Sequence, residues 1–236
     1  MNSPPPCSIA ERTIAIVRQH GPAAVTLRDV ASRAGVSEAA PYHHFESKAH
    51  LLLEAAARGY TALGERLAAA AATGASARER VPALGAAYVQ FALDEPGYFR
   101  LLFGAHIDEL VAPPTKHPGG VAAKQAGRAA ANHLRTGVAA FIAETGASIA
   151  PRDLERLVWA QIHGLAWLAL ENELHPPPMV DEIVELAARG LALLLDGTHR
   201  PARRPRASTS SAASRPPRAG TPRSRAPSGR AGTRGA

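Results

Sequence analysis

The sequence predicts an all-α protein of about nine helices: an N-terminal helix-turn-helix domain followed by a larger helical domain. Three observations lead there. Helix start and stop signals recur along the first 197 residues. No segment alternates apolar and polar residues long enough for a strand. Hydrophobic residues make up 46% of the chain and aromatic residues only 5%, so the core must be built from Ala, Leu, Val and Ile.

The elements follow in order. Ser8-Ile9-Ala10-Glu11 is a capping box, and Ile9, Thr13, Ile16 and Val17 share the face of the helix that follows. Gly21-Pro22 stops it. Thr26-Leu27-Arg28-Asp29 opens a second, short helix to about Ala34, and Gly35 supplies a left-handed C-terminal position. Ser37 caps a third short helix ending near Phe45, and Ser47 caps a long fourth running into the Ala-rich stretch 68–72. Two short helices joined by Gly35-Val36-Ser37 make a helix-turn-helix, with Val30, Ala31, Val36 and Phe45 closing on the first helix. Longer helices are expected at 76–95, 97–110, 121–145, 152–173 and 179–196. Pro82 kinks or delays the first of these, VAPPTKHPGG (111–120) is a loop, and Pro176-Pro177-Pro178 separates the last two.

The net charge of +7 is concentrated at one end. From Thr198 to Ala236 there are ten arginines, no acidic residue and no Leu, Ile, Val or aromatic side chain, so the preceding residues carry a net −3. Such a tail cannot bury enough surface to order itself and is expected to be disordered. It is either a solvated appendage or an auxiliary, sequence-independent contact to a polyanion. The expected boundaries are 1–50 for the helix-turn-helix domain, 51–197 for the larger helical domain, and 198–236 for the tail. One cysteine, Cys7, excludes an intramolecular disulfide. No metal-ligand spacing, secretory signal or membrane-length apolar run is present, so a cytoplasmic protein without cofactor, metal or membrane partner is expected. No recognisable nucleophile elbow, His-Glu-x-x-His or phosphate loop supports an enzyme.

The segment TLRDVASRAGVSEAAPYHHFESKAHLL, beginning at Thr26, resembles the DNA-binding domain of TetR-family transcriptional regulators. It carries the family's Tyr-x-His-Phe-x-x-Lys signature as Tyr42, His44, Phe45 and Lys48. In a helix-turn-helix the start of the second helix meets base edges. Those residues are Ser37, Glu38, Ala39 and Ala40; an alanine can touch a thymine methyl and Glu38 can accept from a cytosine amino group. Tyr42 and His43 lie within reach of base or phosphate. Lys48, in the first turn of a helix, opposes the macrodipole unless a phosphate sits between it and the helix end. The resemblance assigns phosphate contacts to Thr26, Tyr42 and Lys48. Read as structure alone, Thr26 and Ser37 are caps, Phe45 is core, His44 packs or caps, and Lys48 is a surface charge. Pro41 departs from the aliphatic residue more common in the family; it removes one backbone bond to Ser37 and distorts the first turn, while the helix is expected to form.

The resemblance also implies a homodimer through the last two helices. Leu154, Leu157, Val158, Leu165 and Leu168 fall on one and Ile183, Ala187, Leu191 and Leu194 on the other; packing within one subunit is the alternative. Trp159-Ala-Gln-Ile-His163-Gly164 looks like the Trp-x-x-x-His-Gly signature of one TetR C-terminal subclass, and YFRLLFG (98–104) suits it. Gly164 in a helix interior costs about 1 kcal/mol relative to Ala, which points to a close backbone approach. Tyr98, Phe103, Phe141, Trp159 and His163 are either the wall of an apolar effector pocket with His163 as its polar anchor, or a core with a satisfied histidine. The expected partners are a double-stranded, pseudopalindromic operator, a small apolar effector that releases it, and a second copy of the chain.

Overall fold

The computed structural model describes residues 6–43, 45–73, 76–104 and 118–198. Eight α-helices are found there: α1 Pro6–His20, α2 Leu27–Ala34, α3 Lys48–Thr73, α4 Ala77–Asp94, α5 Pro96–Phe103, α6 Pro118–Thr145, α7 Pro151–Leu170 and α8 Val180–Gly197. Two single 3-10 turns, Pro22–Ala24 and Ala40–His43, complete the described elements. No strand occurs among the described residues.

Local chemistry explains most boundaries. The Thr26 hydroxyl accepts from Asp29 N–H at 3.0 Å and caps α2, and Gly35 ends it at φ 70°, a conformation open to glycine without strain. Ser47 Oγ accepts from His50 N–H at the start of α3. Ser76 and Glu79 form a reciprocal capping box on α4. Pro82 is accommodated inside α4. α7 ends at Leu170, short of the expected 173, because Asn172 adopts a left-handed φ of 56°. α1 begins at Pro6, before the expected capping box, and α6 begins at Pro118, inside the expected loop. Proline's fixed φ suits a first helical turn in both cases.

The principal correction concerns the third helix. Among the described residues, 37–43 and 45 form no α-helix. Ala40 N–H donates to Ser37 O at 3.0 Å and Tyr42 N–H to Ala39 O at 3.2 Å, both i→i+3 bonds. The i→i+4 bond to Ser37 would need an N–H at position 41, which proline lacks. Proline also disfavours helical backbone at the residue before it, Ala40. Pro41 therefore replaces the expected helix with a single 3-10 turn.

α4 is the central helix and packs against α3, α5, α6, α7 and α8. α3 runs along α6, where Gly64 lies opposite Ala130. One contiguous core extends from Ile9, Ile16 and Val30 through Leu84, Phe91 and Phe99 to Leu154, Leu191 and Leu195. The boundary expected at residue 50 falls inside the continuous α3 helix. The end of the helix expected at 97–110, loop residues 111–117, His44 and the tail from residue 199 lie outside the described residues.

α1 meets α5 at a close contact. A Cβ on Gly97 would lie 1.9 Å from the Val17 carbonyl oxygen. Beside it, the Arg18 guanidinium makes a two-pronged ion pair with Glu95, with Nε donating to Oε2 at 2.7 Å. The carboxylate's hydrogen bond to Arg18 is the main cause that holds the guanidinium above its ordinary range.

Candidate nucleic-acid interface and effector cavity

The turn between α2 and α3 presents polar groups outward. Ser37, Glu38, Ala39 and His43 are exposed, and Tyr42 is 60% exposed although it is an aromatic residue. Ala40 is turned inward at 3% exposure, so it is not available to a base edge, and Pro41 is buried beside it. Phe45 is core, as its apolar character requires. Glu38 Oε1 lies 3.2 Å from Arg28 Nε, so its carboxylate is engaged across the turn by α2.

Two helix starts are brought together here. Lys48 Nζ donates to the carbonyl of Ala23 at 3.2 Å, which places the ammonium three residues before the Thr26 cap. The first N–H groups of α2 and α3 have no intrahelical acceptor. The Thr26 hydroxyl donates to Asp29 Oδ2 at 2.6 Å while it accepts from the Asp29 N–H. Thr26 is therefore a cap first; an incoming phosphate oxygen would draw on the neighbouring N–H groups and on Lys48.

A cavity of about 680 Å³ opens between α3, α4, α6 and α7. Its apolar wall includes Leu63, Leu67, Leu84, Phe103 and Ile162. Arg135, Arg152, Glu155 and Arg156 line its solvent side, with Arg135 and Glu155 3.8 Å apart. Of the five residues expected around a pocket, Phe103 and Trp159 line this cavity. Tyr98, Phe141 and His163 do not. Phe141 is fully buried in the core, and Tyr98 packs over Gly59.

His163 stands behind the wall in an aromatic cluster. It stacks on Trp159 at 4.8 Å and meets the edge of Phe103. Both ring nitrogens are engaged: Nδ1 with the Tyr88 hydroxyl at 2.8 Å and Nε2 with the Trp167 indole N–H at 2.9 Å. It is a satisfied histidine, so the polar anchor expected of it has to come from another side chain. Burial lowers its pKa from the ordinary 6.5 and favours the neutral ring. Burial likewise pushes the Tyr88 phenol well above its ordinary range.

Residues 9–55 match the family described as bacterial regulatory proteins, tetR family, and residues 81–191 match the tetracyclin repressor-like C-terminal domain. The chain is a TetR-family regulator. Its fold is shared with solved structures. A protein of unknown function from Rhodococcus sp. RHA1 is 28% identical, with a TM-score of 0.65 over 79% of this chain and 93% of that one. A tetR-family regulatory protein from Rhodococcus RHA1 is 20% identical, with a TM-score of 0.57 over 78% and 95%. The transcriptional regulator FadR of Bacillus subtilis, solved with stearoyl-CoA, is 13% identical, with a TM-score of 0.55 over 78% and 98%. No curated protein matches the chain.

For this TetR regulator, sequence reasoning missed Tyr88 and the arginines at the cavity mouth. Tyr88 belongs to a small set, since the chain has only four tyrosines, and each buried phenol needs a partner. That partner is 75 residues away, so no local pattern identifies it. No helix among the described residues is long and apolar enough to cross a membrane.

Proposed function

We propose that this TetR regulator is a homodimeric repressor that binds a pseudopalindromic operator through the α2–α3 region and is released by a small, largely apolar effector. The observation that carries the DNA reading is Tyr42. A tyrosine 60% exposed on a short turn offers its ring and hydroxyl to a partner in the same region as Lys48 and the Thr26 cap. The partner's chemistry follows from the helix starts and the lysine, which favour phosphate. Ser37, Glu38, Ala39, Tyr42 and His43 form the base-facing edge, and Thr26 and Lys48 the backbone-gripping ends. His44 belongs to the same contact through its place in the signature.

The dimer reading rests on α7 and α8, on Leu157 and Leu168 of those first expected and on Leu186 and Leu193 in addition. Leu154, Val158, Ile183, Ala187 and Leu191 are buried within the subunit. The exposed apolar stripe is Leu157 and Leu168 on α7 with Leu186 and Leu193 on α8. Gly164 lies between the first two in sequence, and a Cβ there would meet nothing within 4 Å. Its smallness has no use inside the subunit and fits the close approach of a second copy's helix. The Trp159, His163 and Gly164 arrangement supports assignment to the Trp-x-x-x-His-Gly subclass.

Release is read as a population shift. α5 carries Phe103 on the cavity wall and Gly97, next to Glu95, against α1. An effector that prefers a displaced α5 would move α1, and with it the DNA-facing turn. The test begins with selection of bound DNA from a random pool by the full chain. The selected site is then titrated with wild type and with a Tyr42→Ala, Lys48→Ala double variant. We expect affinity to fall about 100-fold, as for two lost contacts of 1–3 kcal/mol each, with unchanged far-UV circular dichroism. Equal affinities would overturn the contact assignment.

A further inference from the structure

Tyr88 joins the cavity to the aromatic cluster behind it. Its side chain is 5% exposed, and it forms part of the cavity wall. The direction of its hydrogen bonds is fixed from the far end of the chain Tyr88–His163–Trp167. An indole nitrogen carries a hydrogen and no available lone pair, so Trp167 can only donate. His163 Nε2, 2.9 Å away, must then be the acceptor. A neutral imidazole holds its one proton on the other nitrogen, so Nδ1–H donates to the Tyr88 oxygen at 2.8 Å. A protonated ring would set an N–H against the Trp167 N–H. The phenol hydrogen of Tyr88 is therefore not spent on His163.

We infer that Tyr88 donates a hydrogen bond into the effector cavity, and that the effector is a largely apolar molecule carrying an uncharged acceptor oxygen, such as a ketone or ester carbonyl. The inference rests on the proposed reading of this cavity as the effector site. The class follows from the surroundings. Leu84, Phe103 and Ile162 share the wall with Tyr88. An anionic oxygen buried there would exchange its hydration for a single donor, a loss of several kcal/mol. A carbonyl oxygen gives up far less water and gains the one bond on offer. Charged groups of the cavity, Arg135, Arg152, Glu155 and Arg156, lie on its solvent side, remote in chemistry from this donor. His163 is the positioning residue that turns the phenol oxygen's lone pair inward and its hydrogen outward.

The test uses the full chain and three matched probes, undecane, 2-undecanone and 6-undecanone, with undecanoate as a charged control. Binding is followed by tryptophan fluorescence, since Trp159 lines the cavity. We expect at least one ketone to bind wild type about three- to tenfold more tightly than undecane, the worth of one neutral hydrogen bond. Tyr88→Phe should abolish that preference. Independently of any variant, the infrared carbonyl stretch of the ketone bound to wild type should fall below its value in hexane. Equal affinities with an unshifted carbonyl would overturn the inference, as would undecanoate binding more tightly than either ketone. Failure of all four probes to bind would overturn the cavity reading as well. The operator titration is independent of these probes, so failure here leaves the DNA-contact assignment standing.

Discussion

Around the turn between α2 and α3 the polar side chains face outward and make only short-range or single contacts: Thr26 with Asp29, Glu38 with Arg28, Lys48 with one carbonyl. Between α4 and α7 they face one another: Tyr88, His163 and Trp167 form a chain of bonds enclosed by Phe99 and Phe103. The first cluster is built from helix ends, where backbone N–H groups are left over by geometry and an anion is welcome. The second is built from helix interiors, where an unpaired polar atom is costly and each donor must find an acceptor. The outward cluster suits a large, charged partner read through many weak contacts. The inward cluster suits one small ligand read through a single fixed hydrogen.

The contrast can be broken at the junction of the two regions. Gly97→Ala puts a methyl group against the Val17 backbone carbonyl, which cannot rotate away as a side chain would. We expect a loss of about 3 kcal/mol in urea unfolding, at the upper end of overpacking costs. A neutral result would show that α1 and α5 separate freely, and α5 could then not transmit effector binding.

A smaller effect sharpens the outward half. Thr26→Ala should cost about 1 kcal/mol of stability through the lost cap, and it should weaken operator binding as well. Thr26→Ser should restore both, since its hydroxyl makes the same bonds to Asp29. If Thr26→Ala lowers the melting temperature but leaves operator affinity intact, Thr26 is a cap and nothing more.

The smallest effect tests the inward half. His163 has a folded-state pKa below its ordinary 6.5 because burial penalises the charged ring. Its contribution to stability is complete above pH 6.5. It declines as pH falls below that value, because the unfolded chain takes up the proton first. Wild type should therefore lose more melting temperature between pH 7.5 and 5.5 than His163→Gln, whose amide can accept from Trp167 and donate to Tyr88. Identical slopes would mean that His163 carries the same charge folded and unfolded.

Much of the fold was legible in the chain because its signals are local. Thr26, Gly35, Ser47 and Ser76 mark helix ends through bonds spanning a few residues, and each is found where its chemistry places it. Pro41 was legible too, but its weight was not: one missing N–H, with the constraint on Ala40, was enough to turn an expected helix into a single 3-10 turn. The sequence placed Leu154, Leu157 and Leu168 on α7 and Ile183, Leu191 and Leu194 on α8, and left open packing within the subunit or against a second copy. These positions did not show which face looks inward, because a helix with two apolar stripes offers two equivalent choices until neighbours are placed.

What the sequence determined by itself was an all-helical chain with a family signature at 42–48, since capping, periodicity and backbone chemistry act over one or two turns. Tertiary structure alone decided that Leu154 and Leu191 are core while Leu157 and Leu193 are surface. It also decided that Arg18 meets Glu95 and that Tyr88 meets His163. Those partners are separated by 77 and 75 residues, and only the packing of α1 on α5 and of α4 on α7 brings them within hydrogen-bonding distance.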